Sequence, residues 1–180
     1  MHCLYAAHRG VFISYLHGIL DLNHEAEHLN ERFSYLFHQI SARLSMIGNR
    51  HFRQYSLNHF SARILVLLLE KKEMRTGELV EMMALPQSTI STQLLGLHKR
   101  RLIHRRRSRQ DNRSVIVTLS KDGEVLARNC DGLSRSVHKL LTEAMTEEEY
   151  EAGYAFLNKV NAHLAGMENR ELYRFDDEPA

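Results

Sequence analysis

Eight cationic side chains lie within fifteen residues in the middle of this 180-residue chain. Asp111 is the one acidic residue among them, although the whole chain has a formal net charge of only +2. Arginine and lysine bind phosphate oxygens through charge-assisted hydrogen bonds, so such a cluster is typical of a nucleic-acid-binding surface. Solvent-exposed faces of proteins that bind no nucleic acid also carry runs of charge. The predicted secondary structure on both sides of the cluster is needed to distinguish these two interpretations. The cations are Lys99, Arg100, Arg101, Arg105, Arg106, Arg107, Arg109 and Arg113.

The segments on both sides of this basic cluster predict two helices, a turn and a β-hairpin. Residues 76–83 predict a short helix, residues 84–86 a turn, and residues 87–101 a longer helix. Alternation through residues 115–119 (VIVTL) predicts a half-buried strand after the cluster. Two helices joined by a tight turn and followed by a basic hairpin form a winged helix, whose second helix enters the major groove of DNA.

The second predicted helix has an apolar side and a polar side. Ile90, Leu94 and Leu97 recur at helical spacing and are expected to hold the helix on the core, which leaves its polar positions available. Hydroxyls and amides near a helix N-terminus bind phosphates and base edges. The residues predicted to bind DNA, in this helix and in the wing, are Gln87, Ser88, Thr89, Ser91, Thr92, Gln93, Lys99, Arg107, Arg109, Asp111 and Arg113.

Asp111 and Arg113 lie two residues apart at the expected tip of the hairpin. There the carboxylate could hold the guanidinium extended toward a narrow, electronegative minor groove. Asp111 is equally compatible with a turn-forming role that has no connection with DNA. The residues leave both interpretations open.

The run from Arg107 to Gly123 (RSRQDNRSVIVTLSKDG) resembles the wing signature of the MarR family of bacterial transcriptional regulators. That signature has an Asp-x-Arg tip, an alternating strand, a Leu-Thr or Leu-Ser pair, and a Gly. The resemblance covers about residues 32–165. It implies that Asp111 and Arg113 form the wing tip. The DNA-reading face that it implies consists of Ser88, Thr89, Ser91, Thr92 and Gln93.

Two positions depart from the family pattern. Thr92 stands where many members have Arg, so bidentate recognition of guanine is not expected there. Gln93 is instead expected to favour adenine. Pro86 stands where the family often has a helix-capping Ser, which predicts a slightly different turn.

Local patterns add detail to these elements. Ser120 is expected to cap the helix that follows the hairpin, and Thr146 with Glu149 is expected to form the capping box that opens the last helix. Alternation along residues 105–107 is expected to send the middle arginine to the opposite face from the other two.

The predicted fold is mainly α with a small β-hairpin wing, in the order α-α-α-α-β-β-α-α. It comprises a winged helix-turn-helix domain and a helical dimerisation domain. Apolar stripes at both ends of the chain need a burial partner, and a second copy would give a homodimer on a pseudo-palindromic double-stranded DNA site. The predicted boundaries are 1–30 for a helical extension, 31–54 and 121–168 for the dimerisation region, 55–120 for the winged helix, and 169–180 for an acidic, flexible tail.

Composition argues against several other classes of protein. The sequence has no glycine-rich phosphate loop and no nucleophile elbow, so neither an enzyme nor a cofactor is expected, and no catalytic residue is assigned. Cys3 and Cys130 form no disulfide framework and suit a reducing, cytoplasmic location. No apolar run has the length of a membrane span, so no membrane partner is expected.

The resemblance also implies a trigger: small aromatic acids or their coenzyme A thioesters bind relatives in a cleft between the helical region and the winged helix. An arginine facing such a pocket suits a carboxylate. His59 and Arg63 have an alternative interpretation as polar points on a mostly buried helix. The expected function is a repressor that such an effector releases from DNA. The candidate ligand-binding residues are Tyr35, His38, Arg43, Tyr55, His59 and Arg63.

Two other triggers compete with an aromatic acid. His24 and His28, with Glu25 and Glu27, have the spacing of a helical zinc site, and residues 87–94 also resemble the recognition helix of zinc-sensing ArsR regulators. The Asp-x-Arg wing favours the MarR type, and no metal ligand is assigned. Redox sensing would need a reactive thiol, whereas Cys130 falls in an apolar stripe where a thiol is inert.

Overall fold

The computed structural model describes residues 28–108 and 114–167, which divide into two compact units at His59 and Phe60. The described part of the chain is mostly helical with one small sheet, as predicted. The predicted N-terminal helix, the wing tip with Arg109, Asp111 and Arg113, and the acidic tail lie outside it. The helices are α1 (Phe33–Phe52), α2 (His59–Lys71), α3 (Thr76–Met83), α4 (Gln87–Lys99), α5 (Lys121–Thr142) and α6 (Glu147–Ala165). The strands are β1 (Glu73–Arg75), β2 (Ile103–Arg107) and β3 (Val115–Leu119), and 3-10 turns lie at Leu29–Glu31 and Arg53–Tyr55.

In the first unit, α1 ends in a corner held by side chains. The Asn49 side-chain oxygen accepts a hydrogen bond from the backbone N–H of His59 at 2.9 Å, which satisfies a donor at the start of α2. Gly48 is buried, and a Cβ there would lie 2.8 Å from Nδ1 of His59. A glycine therefore allows the imidazole to sit against this turn of α1.

The second unit has a core of apolar side chains from four helices and the sheet. Helix α4 packs against α3 and against β2, and α3 contacts β1 and β3. Full burial of a Leu or Ile side chain contributes about 1.5–3 kcal/mol, so this cluster is the main stabilising element of the unit. Its most deeply buried members are Ile64, Leu65, Leu68, Leu79, Ile90, Leu94, Leu97, Ile103, Val117 and Cys130.

The sheet has three antiparallel strands in the order β1-β3-β2, one more than the sequence predicted. Strand β1 has three residues and buries only Met74, so it is too short to produce a recognisable alternation. It forms because Lys72 adopts a left-handed conformation (φ 69°) at the end of α2 and the chain turns toward β3. Met74 then pairs with Val117, which pairs with Arg105 on the other side.

The backbone carbonyl group of Leu102 connects the end of α4, the hairpin and the start of α5. The Leu102 carbonyl accepts a hydrogen bond from the backbone N–H of Ser120 at 3.0 Å. The Ser120 hydroxyl in turn caps α5, as predicted, by accepting from the N–H of Gly123 at 3.0 Å. A Cβ at Gly123 would overlap the Leu102 carbonyl oxygen. The first turn of α5 can therefore approach this backbone only with glycine at position 123.

Helices α5 and α6 change from buried to exposed along their length. Near its start α5 buries Gly123, Ala127 and Cys130, whereas Leu140 and Leu141 at its end are exposed. Helix α6 begins with the predicted capping box, in which Thr146 and Glu149 exchange hydrogen bonds. These bonds, the backbone one first, lower the pKa of the Glu149 carboxyl. In the parts of the chain that are described, no helix is both long and apolar enough to cross a membrane.

We expect Gly123→Ala to destabilise the fold by about 3 kcal/mol, because the added methyl must displace the backbone of Leu102. The matched control is Gly132→Ala in the same helix, where nothing lies within 4 Å of the new Cβ. The control should gain about 0.5–1 kcal/mol from helix propensity. Urea unfolding of both variants measures the difference, and equal stabilities would contradict this role of Gly123.

Candidate nucleic-acid interface

Helix α4 is fixed in rotation by its apolar side. Ile90, Leu94 and Leu97 are almost completely buried, which confirms their predicted place in the core. The helix follows a turn in which Ala84 adopts a left-handed conformation (φ 48°), and Pro86 occupies its N-cap. Since Pro86 has no capping side chain, the first backbone N–H groups of α4 receive no side-chain cap from that residue.

The opposite side of α4 presents four exposed residues at i, i+4, i+7 and i+11. We call these four residues the outer stripe: Ser88, Thr92, Leu95 and Lys99. The hydroxyl of Thr92 donates to the carbonyl of Ser88 at 3.0 Å, which leaves its oxygen lone pairs outward. Sequence reasoning overlooked Leu95, although the spacing from Ser88 to Lys99 already places it on this side.

The other predicted α4 residues lie on the flanks of the outer stripe. Gln87 and Ser91 are exposed, and Thr89 is half-buried. Gln93 is also half-buried, and its Oε1 accepts a hydrogen bond from the Ser61 hydroxyl of α2 at 2.7 Å. The expectation that Gln93 is an unengaged polar position is therefore wrong. Its amide faces α2 because it lies beside the buried Ile90 and Leu94 on the helix surface.

We expect the Ser61–Gln93 hydrogen bond to orient α4 rather than to read a base. Ser61→Ala and Gln93→Ala should each cost about 1 kcal/mol, and the double variant should cost clearly less than their sum. Urea unfolding gives the coupling energy. Gln93→Ala should bind DNA with an unchanged base preference at every position, and a preference relaxed at one position per half-site would contradict this assignment.

Three consecutive cations, of which the first is the last residue of the outer stripe, lie at the end of α4. Lys99, Arg100 and Arg101 are exposed. Arg101 adopts φ of 59°, a left-handed conformation that costs a non-glycine residue about 1–2 kcal/mol. The chain therefore carries a cation at a position where glycine would relieve backbone strain.

Strand β2 distributes its three arginines over both faces of the sheet, as alternation predicted. Arg105 and Arg107 pair with Val117 and Val115 and so share one face. Arg106 lies on the other face, and its guanidinium contacts the Glu73 carboxylate of β1 at 2.9 Å. Because both partners are exposed, this ion pair adds little stability. It does reduce the charge that Arg106 offers to a polyanion.

The base of the wing is closed by backbone and side-chain hydrogen bonds. The N–H of Ser108 donates to the carbonyl of Ser114 at 2.8 Å. The hydroxyl of Thr76, in the first turn of α3, donates to the carbonyl of Val115 at 3.3 Å. The hairpin is thus held to the helix that precedes the turn and α4.

The six candidate ligand-binding residues are divided between the two units. In the first unit, Tyr35, Tyr55 and His59 are half-buried, whereas His38 and Arg43 are exposed. Arg63 is exposed on α2 in the second unit. Their role in binding an effector stays a prediction.

The remaining candidate triggers involve a thiol and histidines. Cys130 is completely buried, and this burial raises the pKa of its thiol to about 11. The reactive thiolate is therefore scarce at neutral pH, as expected for an inert cysteine. Within residues 28–108 and 114–167, no group of three or more His, Cys, Asp or Glu residues could hold a metal ion. His24, Glu25, Glu27 and Cys3 lie outside these ranges.

Comparison with known proteins points to one kind of fold. Residues 49–129, slightly less than half of the chain, match a family described as the transcriptional regulators SarA/Rot. The fold resembles that of MepR from S. aureus in complex with DNA, with 23% sequence identity and a TM-score of 0.69 over 74% of this chain and 98% of MepR. No curated protein matches the chain.

Two further solved structures have the same fold. A mutant MarR from E. coli bound to operator DNA is 19% identical, with a TM-score of 0.63 over 71% of this chain and 91% of that protein. An uncharacterised SlyA-like transcription regulator from Listeria monocytogenes is also 19% identical, with a TM-score of 0.69 over 76% and 95% of the two chains. These comparisons confirm the winged-helix fold and the resemblance to regulators of the MarR type.

Proposed function

We propose that this chain, which has the fold of MarR-type regulators and matches the SarA/Rot family over residues 49–129, is a DNA-binding transcriptional regulator. The observation that carries the proposal is the outer stripe of α4. Three buried residues hold the opposite side of this helix on the core, so the stripe is presented to solvent, and the basic strand β2 packs against the same helix. That arrangement suits insertion of α4 into the major groove of DNA.

Each part of this surface has a distinct role in the proposal. The hydroxyls of Ser88, Ser91 and Thr92 contact base edges and phosphates near the N-terminus of α4. Gln87 and Thr89 contact the backbone from the flanks of the stripe. Lys99, Arg107 and Arg109 bind phosphates electrostatically, and the tip residues Asp111 and Arg113 address the minor groove.

The protein acts as a homodimer in this proposal because its terminal helices lack sufficient burial. Helix α6 has nineteen residues and none of them is buried. An isolated helix of this length is marginal in water, and most helical stability comes from packing of an apolar face. The first unit offers a similar face on α1, where Phe33, Leu36 and Ile40 are exposed. A second copy would cover both faces and present two α4 helices about one DNA turn apart.

We expect light scattering to give a mass of about 42 kDa, twice the 21.0 kDa of one chain, at micromolar concentration. Tyr154, Leu157 and Leu164 form an exposed apolar stripe on α6. Leu157→Lys places a charge in this stripe and should produce a monomer. The matched control, Ala155→Lys, adds the same charge on the opposite side of this helix and should leave the dimer intact. A wild-type monomer would contradict the dimer while leaving DNA binding to be judged separately.

Repression and its release complete the proposal. A dimer bound across a promoter blocks transcription, and a small aromatic carboxylate or coenzyme A thioester would lower its affinity for DNA. Support for an effector comes from the likeness to MarR-type regulators, with Tyr35, His38, Arg43, Tyr55, His59 and Arg63 as the candidate contacts. The compartment that suits this function is the cytoplasm.

We expect sequence-selective, salt-sensitive DNA binding when the full chain selects sites from a random duplex library. On the best selected site, log K should fall linearly with log salt because cations on the protein displace counterions. Lys99→Gln should make this negative slope shallower by about 1 and should weaken binding to the same extent for all sequences. Lys159→Gln, on the side of α6 away from its apolar stripe, is the matched control and should bind like the wild type.

The library experiment can also reject the function. If no sequence is enriched and no duplex binds at low salt, the protein does not regulate transcription by binding DNA. If binding is tight but the salt slope is the same for the wild type and Lys99→Gln, the surface described above is not the one that meets phosphate.

A further inference from the structure

One residue of the outer stripe, Leu95, cannot form the hydrogen bonds and ionic contacts that the other three can form. Leu95 lies between Thr92 and Lys99, and 46% of it is exposed. It has no donor or acceptor, so it forms no hydrogen bond with a phosphate or with the polar edge of a base. The apolar residues that hold α4 on the core lie on the far side of the helix, so packing within the chain does not require a leucine here.

The major groove offers an apolar partner for this residue. Each thymine carries a C5-methyl group there, and aliphatic side chains contact it, whereas cytosine has no methyl group at that position. We propose that Leu95 is a specificity-determining residue that packs against a thymine methyl in each half-site. This inference rests on the proposed function, because it requires α4 to lie in the major groove.

Position along α4 supports this assignment. Leu95 lies about 10 Å along the axis from Ser88 and about 6 Å before Lys99, given the rise of an α-helix. It therefore falls between the hydroxyls of the first turns and the cation that meets a phosphate at the groove edge. Its shorter, uncharged side chain suits the depth of the base edges.

The residue next to Leu95 leaves room for close approach. A Cβ at Gly96 would have no heavy atom within 4 Å, so the fold itself does not require glycine at this position. Glycine costs a helix about 1 kcal/mol relative to alanine. Without a side chain at position 96, the helix backbone beside Leu95 can approach another surface more closely.

The test uses deoxyuridine, which lacks the C5-methyl of thymine but keeps its hydrogen-bonding edge. Starting from a duplex selected by the full chain, each thymine is replaced singly by deoxyuridine and the affinity is measured by fluorescence anisotropy. For the wild type, one thymine position in each half-site should be sensitive, and a single replacement there should weaken binding about fourfold, as expected for loss of one buried methyl group. Leu95→Ala loses this contact in both half-sites of the dimer, so it should bind the thymine duplex about sixteenfold more weakly and should not distinguish the two duplexes.

Two controls separate contact by Leu95 from other effects. Leu95→Met keeps an apolar side chain of similar size and should retain discrimination between thymine and deoxyuridine. Met82→Ala removes an exposed apolar side chain from α3 (51% exposed) and should also retain it. Because Leu95 is exposed, its variants should unfold at the same temperature as the wild type, which circular dichroism checks.

The outcomes distinguish this inference from the proposed function. Tight, selective binding with no effect of any thymine replacement overturns the role of Leu95 and leaves the regulator intact. A methyl effect that persists in Leu95→Ala assigns the thymine contact to another residue and also overturns the inference. Failure of the wild type to bind any duplex overturns both proposals.

Discussion

The burial of one side of α4 is the constraint on which the rest of this molecule depends. Ile90, Leu94 and Leu97 are held in the core, and this fixes the rotation of the helix about its axis. Rotation decides which residues can meet another molecule, since positions four and seven residues apart share a face. The hydrogen bond between Ser61 and Gln93 adds a polar contact with α2 that favours the same rotation. The outer stripe is therefore exposed as a consequence of packing.

The wing and α5 are tied to α4 through the backbone at Leu102. The Leu102 carbonyl accepts a hydrogen bond from the N–H of Ser120 and lies against Gly123. The end of α4, strand β3 and helix α5 therefore meet at one point. The hydroxyl of Thr76 connects the outer end of β3 to α3 in addition. A displacement of the wing would have to break several of these contacts together. This gives the basic strand a defined position relative to the helix that it follows.

Exposed apolar residues on α1 and α6 are the reason why a homodimer is proposed. Helix α6 begins with a complete capping box, yet none of its residues is fully buried. Local signals therefore specify that it is a helix, whereas no surface among residues 28–108 and 114–167 buries its apolar side chains fully, and most helical stability comes from such packing. Leu95 is also exposed and apolar, so it too can gain burial only from another molecule. It differs from the exposed residues of α6 because its neighbours are polar and cationic.

The sequence by itself determined most of the local structure. Helical spacing identified the buried side of α4, Ser120 and the Thr146–Glu149 pair identified helix starts, and alternation placed Arg106 opposite Arg105 and Arg107. These features depend on residues close together in the chain, so periodicity and capping rules reach them. Tertiary structure alone decided that Gln93 bonds Ser61, thirty-two residues away, and that Glu73 pairs with Arg106. It also decided that Met74 joins a third strand and that Gly123 must accommodate the Leu102 carbonyl. Each of these contacts joins segments brought together only when the core forms, and no local pattern encodes which distant partner a polar or small side chain will meet.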